Sequence, residues 1–261
     1  MMPRLEQLAA DLAAAWRTGS TIPLPQSGRG ALTRAEAYTV QDLIAERLGT
    51  RVVGWKVGAT APALQLFDGH DGAIPGRIFA DRCFDSHARI PSDLLKSVKV
   101  ECEFAVRLTR ALPRGNRPIS AETLAEMLTF HLAFELAASR YAPGTGQRGA
   151  TTFDGIADNG SGGAAVLGPA VAAWRDLPCN TMEILARIDD SPPIQIFTGA
   201  YRREPLDIAV ETFSDLHARG IDLPAGTCLL TGSLSLPTPV RKGQTVTATF
   251  TGLPEISFTM A

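Results

Sequence analysis

The pattern of apolar and polar residues divides the chain into a helical beginning and a longer, strand-rich remainder. Residues 4–17 place apolar side chains at helical intervals, and Thr33 followed by Glu36 is typical of the capped start of a second helix. Two further helices are predicted at 121–141 and 205–219. After residue 50, short β-like runs predominate; they lie at 52–57, 88–91, 98–108, 183–189, 194–197, 228–231, 245–251 and 256–259.

This order of elements favours an α+β fold with a mixed, mostly antiparallel, β-rich architecture. Strands and helices do not alternate regularly, as they would in a doubly wound parallel sheet. We predict a helical N-terminal portion at 1–50 that packs on a β-rich domain at 51–261.

One predicted strand places two carboxylates side by side. Within 98–108, apolar residues occupy the even positions, whereas Glu101 and Glu103 share the odd-numbered face with Lys99 and Arg107. Two carboxylates this close repel each other unless a cation lies between them or one is protonated, and Mg²⁺ or Mn²⁺ is a natural partner. The alternative is a solvated strand face on which Lys99 and Arg107 balance the charge.

Glu135 is the candidate for a third ligand. It interrupts the stretch 132–138, which is otherwise apolar on every side of the predicted helix and is therefore expected to be buried. A buried carboxylate needs a compensating charge or a metal. The alternatives are an ion pair with Arg140 or Arg148, or a contact with His131 one helical turn earlier; His131 and Glu135 could also share a metal.

Two glycine-containing segments offer groups that recognise an anion. Lys56 lies between Gly54 and Gly58 on a short apolar strand, where it can supply positive charge or transfer a proton to an anionic substrate. The alternative is a surface lysine that extends its amine into solvent. Thr231 and Gly232 offer a hydroxyl and a close-approach glycine for a carboxylate, and the alternative there is an ordinary strand end.

The segment 160–165 fits the pattern G-x-G-x-x-A of dinucleotide-binding loops, but its context argues against that function. No buried strand precedes it, and Gly168 followed by proline would end any helix within a few residues. We interpret it as a turn that brings Asp158, Asn159 and Ser161 towards a pocket.

Composition excludes several classes of partner. A formal net charge of −2 over 261 residues provides no electrostatic footprint for nucleic acid or for an anionic membrane. No stretch is long and apolar enough to span a bilayer, and the N-terminus lacks a secretory signal. The cysteines are widely spaced and are expected to be buried thiols in a reducing cytoplasm: Cys83, Cys102, Cys179 and Cys228.

Seven short motifs occur in an order and spacing that is more specific than any one of them alone. They are AYTVQ at 37–41, VGWKVGAT at 53–60, PGRI at 75–78, VECEFA at 100–105, FELAASR at 134–140, IADNGS at 156–161, and TGS at 231–233 with KG at 242–243. Together they resemble the fumarylacetoacetate hydrolase superfamily and, within it, the branch of 2-keto-4-pentenoate hydratases and 4-oxalocrotonate decarboxylases. The resemblance covers nearly the whole chain.

The resemblance implies a mixed β-roll with an N-terminal helical part, so that 51–261 would be the catalytic domain. It also implies a Mg²⁺ or Mn²⁺ ion held by a Glu-x-Glu pair and one further acid, roles that map onto Glu101, Glu103 and Glu135. The implied substrate is a small 2-oxo or 2-hydroxydienoate acid, bound through its 2-oxo and carboxylate oxygens. Members of the family assemble as homo-oligomers, and the same is expected here.

The resemblance also assigns roles beyond the metal ligands. Lys56 matches the family lysine near the substrate, and Asp158 matches a position in the A-D-N-x-S loop, so both are expected to be catalytic. The expected substrate-binding residues are Ser161 of the same loop, Thr231 and Gly232 of the TGS motif, and His70, which lies in a loop that departs from the family pattern.

Three departures from the family pattern leave the particular reaction open. Ala138 stands where family hydratases usually carry an acid, and Pro-Gly-Thr-Gly at 143–146 replaces a common tryptophan. The loop 67–72 is unusual and adds His70. The leading hypothesis is a hydratase that adds water to a 2-hydroxy-2,4-dienoate in the catabolism of aromatic compounds. The alternatives are a decarboxylase of a 2-oxo-dioate, a C–C hydrolase of an acylpyruvate, and an inactive partner subunit.

Overall fold

The computed structural model describes residues 2–24, 32–113, 119–142 and 150–261, in which six α-helices and twelve strands form. The helices are α1 (Met2–Thr18), α2 (Arg34–Leu48), α3 (Pro62–Asp68), α4 (Ala121–Ala125), α5 (Thr152–Ala157) and α6 (Pro205–Ala218). The strands are β1 (Val52–Gly58), β2 (Ile74–Phe79), β3 (Cys83–Asp85), β4 (Ala88–Ile90), β5 (Lys99–Leu108), β6 (Leu128–Ala137), β7 (Gly162–Ala170), β8 (Ile184–Ile188), β9 (Cys228–Ser233), β10 (Thr238–Pro239), β11 (Thr245–Phe250) and β12 (Ile256–Met260). The segment 143–146 and Arg148 lie outside the described residues.

The strands form two sheets. The larger has the order β2-β1-β9-β5-β6-β7-β3, with β10 added beside β5, and the smaller has the order β4-β12-β11-β8. Neighbouring strands in the described ranges are antiparallel except for the pairs β1–β9, β3–β7 and β4–β12. The predicted α+β fold with a mixed, mostly antiparallel sheet is therefore confirmed.

The larger sheet curls on itself, as expected for a β-roll. Ile78 of β2, Ala105 of β5, Leu167 of β7 and Leu230 of β9 come from strands across its width, yet they share one buried cluster. Along β5 the even-numbered side chains pack into the main core between the sheets and helix α6, while the odd-numbered face lines the inside of the curl. The alternation predicted for this strand thus separates a core face from an interior face that holds the carboxylates.

The prediction of a helix at 121–141 is wrong. Only Ala121–Ala125 is helical, and Leu128–Ala137 is strand β6, paired on one side with β5 and on the other with β7. A stretch that is apolar on every side fits a strand buried on both faces as well as it fits a buried helix. The segment Leu128–Ala137 forms a strand because it pairs continuously with the ten residues of β5.

Other elements also differ from the predicted pattern. The run 194–197 forms no strand; Ile196 makes an isolated bridge with Ser235. The sequence pattern predicts none of strands β2, β3, β7 and β10 and neither of helices α3 and α5. The glycine-rich segment continues directly into β7, so it does not begin the helix that a dinucleotide-binding loop requires.

The N-terminal helices pack on one side of the curled sheet. Thr33 and Glu36 form the predicted capping box, in which the Thr33 hydroxyl accepts from the Glu36 amide (3.2 Å) and the Glu36 carboxylate accepts from the Thr33 amide (2.8 Å). The Gln41 side chain donates to the carbonyls of Pro75 and Ile156, both at 2.9 Å, and so ties α2 to β2 and α5. The division of the chain at residue 50 stays a prediction. Within the described ranges, no helix combines the length and apolar character needed to cross a membrane.

Candidate active site

Three carboxylates converge on the interior face of the curled sheet. The antiparallel register of β5 and β6 places Glu101 directly opposite Glu135 and Glu103 opposite Ala133, so all three carboxylates project from one face. One oxygen from each of Glu101, Glu103 and Glu135 lies within 4.8 Å of the others. The sequence pattern places Glu101 on a strand and Glu135 on a helix. In the structure both residues lie on strands, and they form a direct cross-strand pair.

Two of the three carboxylates are shielded from water, and Glu101 is partly buried. Glu103 is 0% exposed and Glu135 is 1% exposed, so the predicted alternative of a solvated strand face is wrong. Burial, reinforced by the neighbouring carboxylates, raises the pKa of Glu101 to about 7 and that of Glu103 well above its usual range. Such a cluster is costly to bury without a cation.

The hydrogen bonding around the cluster leaves oxygen atoms available. Glu103 Oε2 accepts from the Gly232 amide at 2.8 Å. Glu103 Oε1 and Glu135 Oε2 are buried and accept no hydrogen bond from any described residue. An all-oxygen donor set with unpaired lone pairs is the kind of site that Mg²⁺ and Mn²⁺ prefer, so the residues present fit a hard divalent cation.

Lys56 contacts the carboxylate cluster from strand β1. Its side chain is buried, with Nζ 3.0 Å from Glu135 Oε1 and donating to the Gly160 carbonyl at 2.9 Å, so the surface-lysine alternative is wrong. Burial lowers the pKa of Lys56, but the attraction of Glu135, Glu101 and Glu103 outweighs it and raises that pKa overall. Lys56 is therefore a cation at neutral pH.

The partner of Glu135 is thus Lys56, not the residues expected from the sequence. Arg140 pairs with Asp158 instead, and Arg148 lies outside the described residues. His131 lies on β6, where its ring contacts the Gly168 carbonyl (2.9 Å) and the Thr129 hydroxyl (2.9 Å), so it does not join the carboxylate cluster.

Glycines let the loop before β7 approach Lys56 closely. A Cβ at Gly76 would lie 2.1 Å from the Asn159 carbonyl oxygen, and one at Gly160 would lie 3.1 Å from Lys56 Cδ. Asn159 holds the loop in this position. Its side-chain oxygen accepts from the Arg77 amide at 2.7 Å, and its side-chain nitrogen donates to the Arg77 carbonyl at 2.9 Å. The loop is a fixed wall of the site.

A cavity of about 590 Å³ opens beside the carboxylates. Lys56, Glu101, Ser161 and His70 line it, so these predicted residues are brought together. His70 is half-buried, with Nδ1 3.3 Å from the Thr152 hydroxyl, and burial lowers the pKa of its imidazole. Other polar residues that were not predicted also line it, among them Ser233, which completes the TGS motif, and Asp68, two residues before His70.

Thr231 and Gly232 lie behind the cavity wall. The Thr231 hydroxyl is buried and donates to the Phe104 carbonyl at 3.0 Å. Gly232 has φ 103°, a left-handed conformation suited to glycine, and its amide is the donor that holds Glu103. Ser233, not Thr231, lines the cavity, and its hydroxyl donates to the Ser235 carbonyl at 2.7 Å.

Asp158 is likewise kept from the cavity, by a buried ion pair. Its Oδ1 accepts from Arg140 Nε at 2.6 Å, and its Oδ2 accepts from the Ser139 hydroxyl (2.7 Å) and the Arg140 amide (2.9 Å). Arg140 also donates to the Gly162 carbonyl at 2.6 Å and stacks on Trp16, 4.7 Å from the ring centroid. This network fixes the loop that carries Asn159, Gly160 and Ser161.

Replacing Asp158 by asparagine is expected to destabilise the protein by about 3–5 kcal/mol, because Arg140 is left as a buried charge without its counter-ion. Urea denaturation followed by circular dichroism measures the change. The exposed Asp190→Asn variant is the matched control and should unfold like the wild type. A midpoint for Asp158→Asn equal to that of the control would contradict a structural role for the ion pair.

The chain has relatives along almost its entire length, although no family model matches it. The 2-keto-4-pentenoate hydratase of Burkholderia vietnamiensis (strain G4) is 29% identical over 259 residues, covering 98% of this chain and 97% of that protein. The 4-oxalocrotonate decarboxylase of Pseudomonas putida is 27% identical over 233 residues, covering 87% and 85%.

Among solved structures, the 4-oxalocrotonate decarboxylase from Pseudomonas putida G7, complexed with magnesium and adipate, superposes with a TM-score of 0.85. The two chains are 22% identical, and the superposition covers 100% of this chain and 98% of that one. This likeness shows a shared fold. Together with the sequence relatives, it confirms the resemblance predicted from the seven motifs.

Proposed function

We propose that this protein is a metal-dependent hydro-lyase. Over nearly its whole length the chain is homologous to 2-keto-4-pentenoate hydratases and to a 4-oxalocrotonate decarboxylase. The reaction adds water to a 2-hydroxy-2,4-dienoate and yields a 4-hydroxy-2-oxo acid, a step in the breakdown of aromatic compounds. The observation that carries the proposal is the cluster of Glu101, Glu103 and Glu135 beside the cationic Lys56, at the wall of an open cavity.

The three glutamates would hold Mg²⁺ or Mn²⁺. Their oxygens lie close enough to share one ion, and two of them have no other partner among the described residues. When bound, the ion supplies Lewis-acid stabilisation to the anionic oxygens of a 2-oxo acid. Gly232 keeps Glu103 oriented through its amide, and Lys56 does the same for Glu135 through its amine.

Lys56 serves the reaction as a cation. Its Nζ is held by Glu135 and by the Gly160 carbonyl, which leaves one N–H to donate towards a substrate anion in the cavity. Held between Glu135 and the Gly160 carbonyl, the amine is placed to donate a hydrogen bond or a proton to the substrate.

The remaining residues bind or position the substrate. Ser161 and His70 line the cavity and bind the substrate beyond its oxo-acid head. Thr231 and Gly232 fix the end of strand β9. That end carries Ser233 and binds Glu103 through the Gly232 amide. Asp158 also acts as a positioning residue, through Arg140 and the loop that offers the Gly160 carbonyl to Lys56.

A second candidate reaction is the decarboxylation of a 2-oxo-dioate. It is favoured by the similarity to the Pseudomonas putida decarboxylase, and stabilisation of the same anion serves the loss of CO₂. An inactive partner subunit is disfavoured by the complete set of three carboxylates and a lysine around the cavity.

We also propose that the protein works in the cytoplasm as a homo-oligomer. The four cysteines are free thiols, which suits a reducing compartment. Helix α3 exposes Leu66 (85%) and Phe67 (55%) near the cavity, an apolar surface of the kind that subunit contacts cover.

The proposed function is tested by incubating the protein and Mg²⁺ with dienoates, 2-oxo-dioates and acylpyruvates and measuring product masses. The hydratase proposal predicts the gain of one water on a 2-hydroxy-2,4-dienoate. Loss of CO₂ from a 2-oxo-dioate would support the decarboxylase candidate, and cleavage of an acylpyruvate would overturn both. No turnover of any of these compounds would support the inactive partner.

A further inference from the structure

Lysine is rare in this chain, and its few positions are grouped in space. The sequence contains four lysines: Lys56, Lys96, Lys99 and Lys242. Lys56 contacts the carboxylate cluster, and the other three line a second cavity of about 470 Å³. Arg241 adds a fourth cation to the lining of that cavity. Because every lysine of the chain lines one cavity or the other, we infer that their charges serve a common ligand.

The second cavity adjoins the active-site cavity at the start of strand β5. Ser97 and Lys99 line both cavities. Lys99 pairs on one side with Ala137 of β6, which lines the active-site cavity, and on the other side with Pro239 of β10, which lines the second cavity. Glu101 follows two residues later on the same face of β5, about 7 Å further along the strand. An anion bound at Lys99 therefore lies next to the carboxylate cluster.

The second cavity combines an apolar floor with a cationic rim. Four buried apolar side chains form the floor: Leu95, Val98, Val240 and Met260. Four exposed side chains form the rim: Lys96, Lys99, Arg241 and Lys242. Among the described residues, no acidic side chain lines the cavity, and none of the four cations forms an ion pair. The rim is thus a local concentration of unpaired positive charge in a protein whose formal net charge is −2.

This combination of floor and rim favours one class of anion. Unpaired ammonium and guanidinium groups attract a carboxylate or a phosphate. The apolar floor adds to the affinity only when the anion carries a hydrocarbon body that covers it. A volume of about 470 Å³ falls within the usual range of small-molecule sites. A small organic carboxylate satisfies both requirements, whereas inorganic phosphate satisfies only the first.

We propose that the second cavity is a cationic vestibule, a docking site for small organic carboxylates from which the anion passes across Lys99 into the active-site cavity. Lysine suits this task because its ammonium is a point charge on a flexible stem, able to follow a moving ligand. Charge of one sign in a cleft raises the local concentration of an oppositely charged substrate. The docking of carboxylates is independent of the reaction, and the transfer to the active site rests on the proposed function.

Docking is tested with sorbate, a dienoate that lacks the 2-oxygen needed to chelate a metal. We expect NMR titration of the metal-free protein to show one bound sorbate per chain, with an affinity at least about tenfold above that of the uncharged 2,4-hexadien-1-ol. The double variant Arg241→Gln, Lys242→Gln should bind sorbate about fivefold or more weakly, because both cations line the vestibule and neither lines the active-site cavity. The matched control, Arg51→Gln with Arg110→Gln, removes two exposed cations elsewhere and should bind sorbate as the wild type does.

Three results would overturn the vestibule as a carboxylate site. The first is equal affinity for sorbate and the alcohol, or unchanged sorbate affinity in the Arg241→Gln, Lys242→Gln variant. The second is displacement of sorbate by inorganic phosphate at lower concentrations than by hexanoate, which would indicate a site for inorganic anions. The third is loss of sorbate binding in Lys56→Met, which would place the bound sorbate in the active-site cavity; we expect this variant to bind sorbate normally.

Transfer to the active site is tested by steady-state kinetics with the 2-hydroxy-2,4-dienoate substrate. At low ionic strength, the Arg241→Gln, Lys242→Gln variant should show kcat/KM reduced roughly threefold to tenfold at unchanged kcat. The difference should vanish at about 1 M salt, where the Debye length is about 3 Å. Wild-type kcat/KM in the variant at low salt would overturn the transfer. If the protein turns over no dienoate, the proposed function fails, and the sorbate titration still decides whether the vestibule binds carboxylates.

Discussion

Replacing Glu103 by glutamine is expected to abolish tight binding of divalent cations and, at the same time, to stabilise the metal-free protein. Glu103 is fully buried beside Glu101 and Glu135, so in the metal-free protein its carboxyl must either ionise against their charges or take up a proton, and glutamine avoids both costs. The glutamine carbonyl can still accept from the Gly232 amide. We expect affinity for Mn²⁺ to fall at least about a hundredfold. The metal-free protein should gain about 1 kcal/mol, which raises its melting temperature by about 2–4 °C.

Calorimetric Mn²⁺ titration and thermal unfolding in chelator measure the two effects. Glu126→Gln, which removes an exposed carboxylate from the turn before β6, is the matched control and should leave both quantities unchanged. A Glu103→Gln protein that binds Mn²⁺ as the wild type does would exclude Glu103 as a ligand. A metal-free variant less stable than the wild type would contradict the inferred cost of burying the Glu103 carboxyl beside two others.

Replacing Lys56 by methionine is expected to lower turnover by about 10²–10⁴-fold while metal binding persists. Methionine keeps most of the buried apolar volume but removes the cation that faces the cavity. Loss of that charge beside Glu135 leaves the carboxylates free to bind the ion, so Mn²⁺ affinity should be unchanged or increased. Steady-state kinetics at saturating metal, together with Mn²⁺ titration, separate the two effects.

The exposed Arg110→Met variant controls for the loss of one positive charge elsewhere on the chain. Lys56→Met with wild-type turnover would exclude a role for Lys56 in the reaction. Turnover that falls only in proportion to lost Mn²⁺ binding would assign Lys56 to the metal site alone.

The metal candidates could be found from the sequence because strand periodicity is a strong constraint. Alternation along β5 requires Glu101 and Glu103 to share a face, and this holds whatever the rest of the fold does. Glu135 was selected for a related reason, as a carboxylate within an apolar stretch. Its helical assignment was wrong, yet its expected burial is observed, because an apolar environment imposes the same demand for a counter-charge in either element.

What could not be predicted depends on contacts between distant segments. Asp158 and Thr231 match family positions, but only the fold reveals that Arg140 and the Phe104 carbonyl bind them behind the cavity wall. The partner of Glu135 was also missed, since Lys56 lies 79 positions earlier in the chain (135 − 56) and reaches it through the curl of the sheet.

The short elements were missed for a different reason. Strand β7 begins with glycines and alanines, residues with weak strand propensity, and it forms because β6 offers a complete edge for pairing. Helix α3 has seven residues, too few for a periodic apolar pattern to show.

The most direct test of the metal-dependent oxo-acid chemistry is isothermal titration of the Mg²⁺- or Mn²⁺-loaded protein with oxalate, a planar mimic of the 2-oxo-acid head. Three carboxylates leave coordination positions open on an ion, and a 1,2-dioxygen chelate fills two of them. We predict 1:1 binding that disappears when the metal is stripped with chelator and that competes with substrate. Absent binding, or binding of the same strength with and without the metal, would contradict the proposed chemistry.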